Sequence, residues 1–115
     1  RVNIMKPYVE LKIDANEFKL KMKTRQVVAL EKALGRSPLN ILMEAQEGNL
    51  PSIEDMLTIL AASLQQFHHG YDIDKVYDLY DEFVEEGNTM IELLPIIIDV
   101  LSVSGYIKMD DKKDE

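Results

Sequence analysis

The hydrophobic period of this chain changes within a few residues, and that change limits the folds open to it. Tyr8-Val9-Glu10-Leu11-Lys12-Ile13 alternates apolar and polar residues, and so does Phe18-Lys19-Leu20-Lys21-Met22. A period of two is the pattern of a strand with one buried face. Between the two runs, Asp14-Ala15-Asn16-Glu17 supplies the Asp and Asn that accept tight-turn backbone angles. From Thr24-Arg25-Gln26 the spacing becomes helical, with Val27, Val28, Leu30 and Leu34 expected on one side and Gly35 as terminator. The expected fold class is mainly α with a small N-terminal β-hairpin (α+β), in a compact bundle of about five short helices.

Local stop and start signals divide the helical part. Ser37 is a natural N-cap and Pro38 a favoured first helical residue, so a second helix is expected over Pro38 to Gln46. Gly48-Asn49-Leu50-Pro51 breaks the chain, and Ser52 caps a third helix. There Ile53, Met56, Leu57, Leu60, Leu64 and Phe67 recur at steps of three and four, and Ala61 and Ala62 would let a neighbour approach closely. His68-His69-Gly70 ends it. Asp72 caps a fourth helix whose expected core stripe is Ile73, Val76, Tyr77, Tyr80, Phe83 and Val84, with Asp74, Asp78, Asp81, Glu82, Glu85 and Glu86 outside. Thr89 and Glu92 have capping-box spacing and open a fifth helix, Met90 to about Ser104, in which Pro95 predicts a kink or a late start. Residues 1–7 are expected to be a flexible segment, 8–106 one domain and 107–115 a disordered charged tail.

Composition removes several function classes. The chain has 115 residues and no cysteine, which excludes thiol catalysis and thiolate zinc sites and fits a reducing compartment. Its formal charge of −8 opposes binding to a phosphate backbone. Positive residues gather before and at Arg36, and the acidic excess lies in the second half. Arg1 to Pro7 has no apolar core of the kind a secretory leader needs, so none is expected. Met90 to Val103, interrupted by Glu92 and Asp99, falls short of the roughly 20 residues that span a bilayer.

The side chains capable of chemistry read as structural. His68 and His69 point about 100° apart on a helix and cannot face one metal together; they suit a helix C-terminus. Asp72, Asp74 and Asp78 invite comparison with a calcium loop. Counting from Asp72, however, the positions that need Gly and a bidentate Glu hold Tyr77 and Phe83. Gly35-Arg36-Ser37 lacks the remaining glycine and lysine of a phosphate loop. No serine sits in a Gly-x-Ser-x-Gly elbow, and the paired carboxylates lie on expected solvent faces. No catalytic, cofactor-binding or metal residue is therefore assigned, and a non-enzymatic role is expected.

The fifth helix is the feature left to explain. Met90, Ile91, Leu93, Leu94, Ile96, Ile97, Ile98, Val100, Leu101 and Val103 make it apolar nearly all round, so it must be central or covered by a partner. Leu94, Ile97, Ile98, Leu101 and Met90 are the expected partner-binding residues, in a helix-in-groove mode to which the third helix contributes. The methionines Met22, Met43, Met56, Met90 and Met109 would make such a surface adaptable.

The hairpin, the run FKLKMKTRQVVALEKALGRSPLNIL, the apolar Ile53 to Phe67 helix and YDIDKVYDLYDEFVEEG follow one another, ahead of an apolar last helix ending at Gly105. That order, from about Tyr8 to Tyr106, resembles the tail assembly chaperones of long-tailed bacteriophages and prophages, especially those of Gram-positive hosts. Ala29-Leu30-Glu31-Lys32-Ala33-Leu34-Gly35 followed by Pro38-Leu39-Asn40, and the Asp72 to Gly87 helix, carry most of it. The resemblance implies a chaperone that keeps the tape measure protein soluble, recruits tail tube subunits, acts in the host cytoplasm and is absent from the finished virion. It also implies that a longer, frameshifted form is made in some members. A small acidic adaptor, antitoxin-like or regulatory, is the alternative from the residues alone, and a small-molecule-binding bundle is a third. The apolar excess also makes self-association plausible.

Overall fold

A computed structural model describes residues 7–107. Strand β1 (Val9–Ile13) and strand β2 (Asn16–Leu20) pair antiparallel, with Ile13 opposite Asn16 and Leu11 opposite Phe18. The turn is thus Asp14-Ala15 alone, two residues shorter than the composition implied. Asp14 adopts a φ of 55°, a left-handed angle that Asp tolerates better than most residues. Leu11, Ile13, Phe18 and Leu20 are buried, and Met22 continues their face just beyond the ladder.

A hairpin is marginal alone, and this one is fastened at several points. The Lys21 N–H donates to the carbonyl of Ser63 at 2.9 Å. The Met22 N–H donates to Ser104 Oγ at 3.0 Å and the Lys19 N–H to His68 Nε2 at 2.9 Å. At the turn, the Asp14 N–H donates to the Glu86 carboxylate.

Five helices follow: α1 (Thr24–Leu34), α2 (Pro38–Gln46), α3 (Ile53–Leu64), α4 (Ile73–Glu85) and α5 (Met90–Val103). Their starts follow local chemistry. Ser37, Ser52 and Asp72 accept from Leu39, Asp55 and Lys75 N–H groups at 3.0–3.1 Å. At α5 the capping box forms: Thr89 N–H and hydroxyl both donate to Glu92 at 2.6 Å, holding that carboxyl below its usual pKa. Gly35, at φ 74°, closes α1 by donating to the Glu31 carbonyl. α5 begins at Met90 and runs through Pro95 without a late start. Pro95 is exposed, so the Ile91 carbonyl it leaves without a donor lies on the solvent side.

The central element is α3, not α5. It packs against α1, α4, α5 and β2, and Met56, Leu57, Ile59, Leu60 and Leu64 are all buried. Helix α3 ends at Leu64, so Phe67 falls in the following turn, 43% exposed and edge-on to Tyr8. Two stripes also differ from expectation. Val28 is exposed, because only Val27, Leu30 and Leu34 of α1 face inward. On α4 the buried residues are Val76, Leu79 and Phe83, while Ile73, Tyr77 and Val84 are exposed. Both sets have helical spacing, and α4 docks through the narrower one.

The connections are pinned by side chains. Arg36 reaches both Glu44 carboxylate oxygens at 3.0 Å and Asp55 at 3.1 Å, tying the α1–α2 junction to α2 and α3. Tyr106 donates to Glu31 at 2.7 Å; burial, then this bond, push its phenol well above its ordinary pKa. Ile107, expected in the disordered tail, packs against the core; 108–115 and 1–6 lie outside the described residues.

His68 gives the hairpin contact a pH dependence. Its Nε2 accepts a hydrogen bond from the Lys19 backbone N–H, so that nitrogen carries no proton and the ring is neutral. Burial, then the nearby Lys19 ammonium, lowers the His68 pKa. The folded state therefore binds fewer protons than the unfolded one. Stability from this site is complete above about pH 6.5 and is lost as pH falls through the lowered folded value. The urea midpoint is expected to fall across that window and to fall less steeply in His68→Gln. Equal slopes for the two proteins would show that His68 does not carry the effect.

Candidate partner-binding grooves

Two grooves lie on the helical body, each between a pair of helices. The first separates α2 from α5 and has a cavity volume of about 280 Å³. Leu39, Leu42 and Met43 form its α2 wall, Leu94 and Ile98 its α5 wall, and Ile107 adds to the lining. Helix α2 is nine residues long and turns Ile41 and Leu42 toward the core. That phase leaves Leu39 at 38% and Met43 at 60% exposure.

The phase of α5 decides which of its apolar residues a partner can reach. Leu93, Ile97, Val100 and Leu101 point into the core, and Ile97 and Leu101 have no exposed surface. Those two, expected to touch a partner, are instead core residues of the monomer. The cause is the docking of α5 on both α3 and β1, which encloses that side of the helix. Met90 is half-buried against the core and is not in the groove. Leu94 and Ile98, four residues apart, do line it, and Ile91, 53% exposed, extends their stripe. Leu39, Leu42 and Ile107 were not foreseen. The i, i+3, i+4 spacing of Leu39, Leu42 and Met43 was the available signal, but nine residues cannot say which of them faces inward.

The second groove runs between α1 and α3 and ends at the start of α4, with a volume of about 480 Å³. Ala29 and Ala33 of α1 and Ala61 and Ala62 of α3 floor it; Leu30, Thr58, Gln65, Asp72 and Ile73 complete the lining. Small side chains keep it shallow and wide. Ile73 also begins the outer apolar stripe of α4, which continues with Tyr77 and Val84, while Tyr80 packs half-buried against the core.

The polar groups near these grooves have structural duties. Asp72 is spent on its cap, and Gln65 donates to the Tyr71 carbonyl at 2.6 Å. Among the described residues, no three His, Asp or Glu side chains are grouped to hold a metal ion. No described helix is long and apolar enough to cross a membrane. What the grooves offer is apolar contact area bordered by charge.

No curated protein and no solved structure matches the sequence. Residues 4–115, nearly the whole chain, match a family of unknown function, DUF6096. With its hairpin-and-five-helix fold and its paired grooves, this chain belongs to the DUF6096 family.

Proposed function

We propose that this protein is a non-enzymatic, client-binding protein of the phage tail assembly chaperone type, which holds apolar helical segments of the tape measure protein in the α2–α5 groove. The observation that carries the reading is that groove, with Leu94, Ile98 and the 60%-exposed Met43 converging on an open apolar trough. An amphipathic client helix would lay its apolar face there at i, i+3, i+4 spacing. Met43 would adjust to differing client side chains, since its thioether is unbranched and polarizable. Each contact would be weak. Many copies along one long client would gain avidity through multivalency. The net charge of −8 would keep the coated client in solution, and in the host cytoplasm the surfaces outside the groove would recruit tail tube subunits. In this role the protein departs before the virion is complete.

Co-expression with a tape measure protein tests the assignment. Met43→Asp and Ile98→Asp are expected to lower the soluble fraction of the client several-fold, and to remove it from pull-downs, with the circular dichroism spectrum of the chaperone retained. Undiminished client solubility and capture by both folded variants would exclude this groove as the client site.

A further inference from the structure

The α1–α3 groove and the outer face of α4 meet at Ile73, and the α1 rim of the groove is opposite in charge to that face. On the exposed side of α1, Arg25 and Lys32 flank Val28, Ala29 and Ala33. On the exposed side of α4, Asp74, Asp78 and Asp81 flank Ile73, Tyr77 and Val84. Neither Arg25 nor Lys32 makes an ion pair among the described residues. The molecule thus carries, side by side, an apolar trough with Arg25 and Lys32 along its α1 rim and Asp72 at its α4 end, and an apolar ridge edged with anions.

We propose that the occupant of the trough is a second copy of this chain. Its α4 ridge seats Tyr77 and Ile73 over the Ala29, Ala33, Ala61 and Ala62 floor, and the same contact recurs with the roles exchanged. Because trough and ridge adjoin at Ile73, a two-fold axis near that residue satisfies both at once, which is the geometry of a closed isologous dimer. Arg25 and Lys32 of each copy then face the Asp74, Asp78 and Asp81 row of the other. Such exposed pairs fix register and orientation more than they add affinity. The apolar floor supplies the attraction, and the shallow alanine surface admits an aromatic ring where larger side chains would block it. This face is separate from the α2–α5 groove, so the dimer would leave both client grooves open.

Light scattering across a dilution series of the full chain tests the proposal. A dimer is expected, weakening as salt screens the charged rim. Tyr77→Ala and Ala33→Glu are each expected to shift dissociation to roughly tenfold or more higher concentration, with the helical spectrum unchanged. Lys32→Glu alone and Asp81→Lys alone are expected to weaken the dimer, and the double variant to recover it, an outcome that misfolding cannot imitate. A monomer throughout the series overturns the proposal. So does a dimer that survives Tyr77→Ala and Ala33→Glu but is lost in Met43→Asp, which would place self-association in the α2–α5 groove. Client capture by the Tyr77→Ala monomer would leave the chaperone reading standing while this one is judged by the scattering alone.

Discussion

Ile97→Ala is expected to lower unfolding free energy by about 2–5 kcal/mol, whereas Ile98→Ala should cost about 1 kcal/mol or less. The two residues are neighbours in one helix and chemically identical, so propensity cannot separate them. Burial does. Ile97 has no exposed surface and belongs to the buried core cluster, while Ile98 is half-buried on the wall of an open groove. Truncating Ile97 loses the transfer of its methyl and methylene groups and leaves a cavity that close-packed neighbours fill only partly. At Ile98 the vacated space is already continuous with solvent. Urea denaturation of the two variants measures the difference directly. Comparable losses would mean that the α2–α5 groove is closed in solution, and the client-binding assignment would fall with it.

That contrast also marks how far the sequence could be read. Boundaries were legible where the determinant is local. The Ser37, Ser52 and Asp72 caps, the Thr89–Glu92 box and the glycine at 35 act within one turn of the chain, and α2, α3, α4 and α5 begin as their caps dictate. The hairpin was legible too, because alternation determines which side of each strand is buried. Depth was not. α3 and α5 are both apolar on most sides, and only tertiary packing decides which one is surrounded. The helix with more apolar residues was expected to be central or covered by a partner, and α3 took the central place because it meets the hairpin and three helices at once. On α4, Tyr77 and Val84 have the same spacing as Val76 and Phe83. The inner stripe is completed by Leu79, and the outer one stays in solvent. Sequence periodicity counts apolar faces but does not rank them. The same limit hid half of the α2–α5 groove, since a groove is a relation between two helices far apart in the chain. Leu94 and Ile98 were identifiable as apolar residues on α5, whereas Leu39 and Met43 become their neighbours only once α2 is in place.

Phe18→Ala is the sharpest test of whether the hairpin is part of the core or an ornament on it. Phe18 is 3% exposed and stands edge-on to the rings of His68 and Tyr71, with centroids 5.2 and 5.4 Å away. Removing a buried phenylalanine costs about 3–5 kcal/mol, which is a large share of the roughly 5–15 kcal/mol that holds a domain folded. Two outcomes could follow. If the hairpin were an independent unit, only its own amides would lose protection from hydrogen exchange. The packing argues otherwise: Leu11, Ile13, Phe18 and Leu20 belong to the same buried cluster as Met56, Leu64, Ile97 and Leu101. Lifting the hairpin away would expose one side of α3 and break the bonds to Ser63, His68 and Ser104. The expected result is therefore cooperative, with protection in β1, β2 and α3 falling together by a similar factor. Exchange confined to residues 9–20, with α3 amides as slow as in the parent protein, would show that the helices form a core without the hairpin.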